Sequence, residues 1–144
     1  MRAYLGLGTN LGDRVANLNR AVALIAEQVG PVLVCSSFVR SEPWGFHSDN
    51  TFLNAVVAID TPLTPHQLLA ATQAIEKSMG RQHKTVDGHY TDRIIDIDIL
   101  LYGNLTIDTP DLKIPHPHIS ERSFVYGPLQ EIAPDIKDKI ELPL

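Results

Sequence analysis

The stretch Arg93-Ile94-Ile95-Asp96-Ile97-Asp98-Ile99-Leu100-Leu101-Tyr102 constrains this chain more than any other. Its β-branched residues favour a strand, because branched side chains pack well on a pleated surface. Side chains alternate faces along a strand, so Ile95, Ile97, Ile99 and Leu101 are expected on one side. Asp96 and Asp98 then share the other side, roughly 7 Å apart at their Cβ atoms. Two carboxylates so placed repel each other unless a cation sits between them. A hard divalent ion with oxygen ligands, above all Mg²⁺, suits such a pair. Taken alone, the Asp-x-Asp pattern is equally explained by a half-solvated strand with a polar face, so its neighbours must decide.

The rest of the chain supplies an ordinary core around it. The 144 residues fit one domain, 1–144, and 44% are hydrophobic against 20% charged. No apolar run approaches the roughly 20 residues that span a bilayer. The opening Met1-Arg2-Ala3-Tyr4-Leu5 lacks the pattern of a secretory signal, and the expected compartment is the cytoplasm. A single cysteine, Cys35, lies in Val32-Leu33-Val34-Cys35 and reads as a small buried hydrophobe. The net charge of −5 disfavours nucleic acid as a partner. Against that acidic balance, Arg81, His83, Lys84, His89 and Arg93 cluster in one segment, and His116, His118 and Arg122 in another. Local cations on an acidic protein point to a small anionic ligand.

In order, a strand at Tyr4-Leu5-Gly6-Leu7 leads into Gly8-Thr9-Asn10-Leu11-Gly12-Asp13-Arg14. The glycine spacing misses a dinucleotide fingerprint, and no Gly-Lys-Ser/Thr follows. A tight strand-to-helix turn capped by Asn10 or Asp13 is the better reading. Val15, Leu18, Val22, Ile25 and Val29 then recur at helical spacing until Gly30-Pro31. A second strand is expected over Val32 to Arg40, and a third over Phe52 to Ile59, with Asn54 as its polar exception. Between them, the ten residues Ser41 to Asn50 form a long polar loop with the only tryptophan, Trp44. Thr64-Pro65-His66-Gln67 opens a second helix with a capping box, and Gly80 closes it. Arg81 to Asp92 reads as a second long loop. After the Asp-x-Asp strand, Gly103-Asn104 is expected to turn a hairpin into Leu105-Thr106-Ile107. Ser120 is expected to cap a short helix through Tyr126.

The element order β-α-β-β-α-β with C-terminal additions is that of an α+β, ferredoxin-like sandwich: an antiparallel sheet with helices on one face. In that topology Asp96 and Asp98 face the open side, within reach of Asn54 on the neighbouring strand. Magnesium with Arg, Lys and His neutralises a polyphosphate during phosphoryl transfer. Aromatic side chains beside them can sandwich a flat heterocycle.

These residues resemble the 6-hydroxymethyl-7,8-dihydropterin pyrophosphokinase family. The resemblance rests on Gly6-Leu7-Gly8-Thr9-Asn10-Leu11-Gly12-Asp13, Phe52-Leu53-Asn54-Ala55, Ile75-Glu76 with Gly80-Arg81, Arg93 with Asp96-Ile97-Asp98-Ile99-Leu100, and Pro115-His116 with Arg122-Ser123-Phe124. It implies an enzyme of folate biosynthesis that moves pyrophosphate from ATP to the pterin alcohol, releasing AMP. By the same resemblance, Asp96 and Asp98 match ligands of two Mg²⁺ ions, and Arg81 and Arg93 match catalytic arginines on the phosphates. Gln73, Lys84, Ile99, His116 and Arg122 match positions that hold ATP, with Glu76 supporting them. Phe52 and Phe124 match rings that stack on the pterin; Asn54 matches a hydrogen-bonding partner of its polar edge, and Ser41 and Trp44 match positions where a loop of the family touches it. The expected partners are the two substrates alone, with neither nucleic acid nor membrane, on a monomer.

The chain departs from the family pattern at Thr91-Asp92, where Gly-Pro commonly precedes the arginine, and Asp92 adds a negative charge near the phosphates. The preceding loop is about one residue longer than in familiar members and lacks their usual tryptophan. A non-catalytic ferredoxin-like binding module, for RNA or a small ligand, is the competing class. Turnover against binding alone separates the two.

Overall fold

The computed structural model describes residues 1–42, 50–80 and 94–136, together with the backbone of 85–86 and 89–90. Trp44, Arg81, Lys84, Arg93 and the Thr91-Asp92 departure lie outside the described residues.

The described chain runs β1 (Arg2–Thr9), α1 (Arg14–Gln28), β2 (Val32–Cys35), β3 (Val39–Ser41), β4 (Phe52–Asp60), α2 (Pro65–Ser78), β5 (Thr85–Val86), β6 (His89–Tyr90), β7 (Asp96–Tyr102), β8 (Ile107–Asp108), β9 (Lys113–Ile114) and α3 (Ser123–Ile132). The main sheet has the order β2-β4-β1-β7, with β3 also on β4, and every pairing is antiparallel. That is the ferredoxin-like arrangement expected from the element order.

Local chemistry explains both helix starts. Asp13 caps α1 by accepting the Ala16 amide at 3.1 Å, which selects it over Asn10 as the cap. Thr64 and Gln67 form the reciprocal capping box of α2, with Pro65 in the first turn. Gly80 follows α2 with φ +101°, a left-handed conformation that glycine adopts without a Cβ penalty. Leu18, Ala21 and Ile25 of α1, and Leu68 and Ile75 of α2, are fully buried against Leu5, Leu7, Ile95, Ile97 and Ile99. Each of these leucines and isoleucines contributes about 1.5–3 kcal/mol by leaving water.

Several expectations change in three dimensions. The strand expected over Val32 to Arg40 is two strands. From Cys35 to Val39 the chain takes four steps while its partner takes three, Val57 to Asn54, so one residue bulges out. Ser36 occupies the bulge: its amide bonds Val56 O, and its hydroxyl accepts the Val56 amide at 2.9 Å. Cys35 is exposed rather than buried, because β2 is an edge strand. Partial burial of its sulfur, followed by the charge of Glu131, raises its thiol pKa.

The third change is in β7. Leu5 pairs with Ile99 and Tyr4 with Leu101, which leaves Leu100 as an extra residue. The bulge reverses the alternation, so Leu101 joins Leu100 in the second apolar cluster and Tyr102 takes the helix-facing side. Fourth, β7 makes no hairpin with the following segment. Gly103-Asn104 turns, with the Leu105 amide bonded to Tyr102 O at 3.0 Å, but Ile107–Asp108 then pairs with Lys113–Ile114. The segment Arg81 to Asp92 likewise contains a small ladder, β5 with β6.

Fifth, the C-terminal helix is not a short Ser120-capped turn ending at Tyr126. It runs Ser123–Ile132 from an Arg122 cap that makes no side-chain cap bond, and it passes through Gly127-Pro128. Burial overrides that stop signal: Leu129 and Ile136 are fully buried against Tyr4, Val56, Ala58, Leu100 and Leu101. The sheet face opposite α1 and α2 is therefore half covered by α3. The site lies on the part of this face that no other described element covers.

Candidate active site

Register brings the key residues into line. Gly8 of β1 stands opposite Asn54 on β4 and Asp96 on β7; Gly6 stands opposite Val56 and Asp98. Both glycines lie between the carboxylate strand and the asparagine strand; the Leu100 side chain packs over Gly6, 3.4 Å from where a Cβ would stand, which leaves Gly8 as the floor of the recess. A Cβ on Gly8 would meet Asn54 Oδ1 at 3.1 Å and the Phe52 ring at 3.5 Å. The signal for this cradle is present in the chain as Gly6-x-Gly8, within the first stretch that carries the family resemblance, but its role as a floor needs the register of three strands.

Asn54 is held rigidly. It is 5% exposed, and its Nδ2 donates to Val39 O at 3.0 Å and to Ser41 Oγ at 2.8 Å. An amide nitrogen has two N–H donors, so both are spent there. The Oδ1 atom is what Asn54 presents toward the cradle, an acceptor suited to the N–H edge of a heterocycle. Phe52, 9% exposed, borders the same space. Phe124 lies in the first turn of α3, half-buried, next to Arg122. Ser41, expected to touch a ligand, positions Asn54 through the hydroxyl contact.

Asp96 and Asp98 are each half-buried between fully buried isoleucines, as strand alternation requires. Their strand is the outermost of the described sheet, and its outer edge is stitched to α2. Glu76, 4% exposed, accepts the Ile97 amide through Oε2 at 2.7 Å. A buried carboxylate thus pins the residue between the two aspartates.

The same edge lines a cleft of about 240 Å³, bordered by Leu69, Ile97, Asp98, Ile99, Leu112 and His116 among others. Gln73, exposed, stands one helical turn beyond Leu69 on α2. His116 is tied to the edge by its amide, which bonds Leu100 O at 2.9 Å, and its Nδ1 accepts the His118 amide at 3.2 Å. Accepting at Nδ1 places the proton of neutral His116 on Nε2, which makes that atom a hydrogen-bond donor. Asp111, also on the rim, is bonded by Thr109 Oγ1 at 2.8 Å and faces His66 Nε2 at 3.2 Å. These contacts, the Thr109 hydroxyl first, lower the Asp111 pKa. Leu69, Leu112 and β9 were not singled out from sequence, since nothing local tells that they border β7.

Among the described residues no three His, Cys, Asp or Glu side chains gather to cage a metal. Two carboxylates over a glycine floor fit Mg²⁺, which is usually held by one or two carboxylates, with water and substrate phosphates completing its shell.

The cradle yields a direct test. Gly8→Val should raise the KM for a flat heterocyclic substrate by about a hundredfold or more, because branched carbons would occupy space already within contact of Asn54 and Phe52. Steady-state kinetics checks it, and an unchanged KM would remove the cradle from the site.

Comparison with known proteins gives a consistent result. The profile of the family described as 7,8-dihydro-6-hydroxymethylpterin-pyrophosphokinase (HPPK) matches residues 4–134. A 2-amino-4-hydroxy-6-hydroxymethyldihydropteridine pyrophosphokinase from Porphyromonas gingivalis is 45% identical over 141 residues, covering 97% of this chain and 96% of that protein. Proteins of the same name from Methylorubrum extorquens and Bacillus subtilis are 46% and 40% identical over 136 residues, 94% of this chain in each case and 84% and 80% of theirs. Among solved structures, an HPPK-DHPS in complex with substrates superposes with a TM-score of 0.75 at 15% identity. Plasmodium falciparum HPPK-DHPS with pteroate gives 0.71 at 14%. They share the fold over 93% and 90% of this chain, which spans about 40% of either longer chain.

Proposed function

We propose that this chain, which belongs to the 7,8-dihydro-6-hydroxymethylpterin-pyrophosphokinase family, transfers pyrophosphate from ATP to 6-hydroxymethyl-7,8-dihydropterin with the help of two Mg²⁺ ions. Family membership makes it an enzyme of folate biosynthesis, a diphosphotransferase acting on hydroxymethyldihydropterin. ATP as donor, magnesium as cofactor and the residue roles are the finer reading. The observation that carries it is the row Asp96–Gly8–Asn54 across three strands, which sets a carboxylate pair beside a flat, glycine-floored recess.

In this reading the pterin lies over Gly8, with Phe52 and Phe124 on its two faces. Asn54 Oδ1 accepts from its polar edge, and Ser41 and Trp44 contribute from the Ser41–Asn50 stretch. ATP occupies the cleft along β7, held by Gln73, Lys84, Ile99, His116 and Arg122. Glu76 supports that cleft through Ile97. The His116 Nε2 proton serves as donor to a phosphate oxygen. Arg81 and Arg93 draw charge from the transferring group. Asp96 and Asp98 hold the Mg²⁺ ions, which when bound lower the pterin hydroxyl's pKa and neutralise charge on the phosphates. The pterin hydroxyl loses its proton to water and attacks the β-phosphorus in line, the bond to the α-phosphate oxygen breaks, and AMP leaves. The residues thus align two substrates, the main source of catalysis when phosphoryl chemistry needs little covalent help.

The whole of 1–144 works as one catalytic domain, as a monomer in the cytoplasm. Among the described residues no helix is long and apolar enough to cross a membrane.

The decisive experiment measures AMP with ATP, Mg²⁺ and 6-hydroxymethyl-7,8-dihydropterin, omitting each in turn. AMP formed only with all three is the expected result. Its absence from folded protein that binds Mg-ATP would overturn the activity.

A further inference from the structure

Arg14 is a residue in an unexpected place. It opens α1, where the helix dipole is positive, and no acidic residue lies in that first turn. A cation there opposes the dipole, so local helix chemistry does not account for it. Tertiary structure does. The Arg14 Nη1 donates to Thr51 O at 3.0 Å and to Thr51 Oγ1 at 2.8 Å. Asn10, four residues earlier and 3% exposed, donates from Nδ2 to Asn50 O at 3.3 Å.

The turn between β1 and α1 therefore grips two consecutive residues at the point where the chain re-enters the sheet. Phe52 follows at once and borders the Gly8 recess; Asn54 lies two residues further on the same face. Charged donors make the stronger hydrogen bonds, and both acceptors here belong to one residue. Resting on the pterin reading above, we propose that Arg14 is a positioning residue for pterin recognition. It sets the place of the Phe52 ring by holding Thr51, and it does not itself touch the substrate.

The experiment compares wild type with R14A, R14K and T51V, each read for kcat, both KM values and thermal midpoint. R14A is expected to raise the KM for 6-hydroxymethyl-7,8-dihydropterin about tenfold to a hundredfold, the worth of hydrogen bonds to a charged group. The KM for ATP and kcat should change by no more than about twofold, since neither substrate phosphates nor β7 depend on Thr51. R14K, which keeps a cationic donor, should recover part of the loss. T51V, which removes the hydroxyl and keeps the carbonyl, should fall between. In R14A/T51V the two losses should not add, as for partners in one contact.

An unchanged pterin KM in R14A, or equal losses in kcat and both KM values, would overturn the proposal. Should R14A fail to fold, R14K and T51V decide by the same split. If wild type itself releases no AMP, the proposed activity fails rather than the role of Arg14. In that case pterin affinity measured by fluorescence on the same variants still tests it.

Discussion

Replacing Asp98 with alanine should abolish AMP release, with kcat down by about 10³-fold or more, equivalent to ~4 kcal/mol of transition-state stabilisation. Asp98 lines the cleft on the outer strand and is half-buried, so its removal creates no core cavity. A half-buried side chain on the outermost strand leaves the apolar core intact when it is shortened. The thermal midpoint should therefore change by no more than a few degrees. The separation of the two readouts makes the test sharp: a structural residue would lose both, a metal ligand only turnover. Asp98→Asn keeps the shape and removes the charge, and it should be nearly as inactive. Activity of Asp98→Ala within tenfold of wild type, in saturating Mg²⁺, would remove the aspartate pair from catalysis.

The second large effect is expected at Glu76, where stability and activity fall together. Glu76→Ala removes the acceptor of the buried Ile97 amide and leaves a small void against β7. Losing a hydrogen bond to a charged group while stranding its buried donor costs about 2–4 kcal/mol. A domain of this size would show that as a fall in thermal midpoint of several degrees. The strand between Asp96 and Asp98 would also lose its outer restraint, and misplacing catalytic groups by about 1 Å can cost about a hundredfold in rate. Glu76→Gln retains an oxygen acceptor of the same reach and should keep most of the stability. If Glu76→Ala matches wild type in both thermal melting and AMP release, the stitch between α2 and β7 has no role.

Much of this protein was legible from residue order alone. The helical spacing of Leu18, Val22 and Ile25, the Thr64–Gln67 capping box and the alternation through Ile95, Ile97 and Ile99 are local patterns, and all three appear as expected. Periodicity is readable because it follows from backbone geometry, which each segment carries by itself. The features that escaped depend on partners distant in the chain. Leu101 changed face because of a bulge visible only against β1. The helix expected to end at Tyr126 continues through Gly127-Pro128 because Leu129 and Ile136 reach a sheet face that needed covering. Cys35 looked buried by its apolar neighbours and is exposed because nothing pairs beyond β2 in the described sheet.

The site divides in the same way. Residue order by itself determined the chemical inventory: paired aspartates on one strand face, an asparagine and aromatics on another strand, and cations clustered by segment. Only the tertiary structure decided how the inventory is arranged. Register across three strands set Gly8 between Asp96 and Asn54, a buried Glu76 took up an edge amide, and Arg14 was carried to Thr51. The physical reason is one of range. Side-chain period and capping act within a few residues, whereas register, edge satisfaction and covering of a face are settled by segments that meet only when the chain has folded.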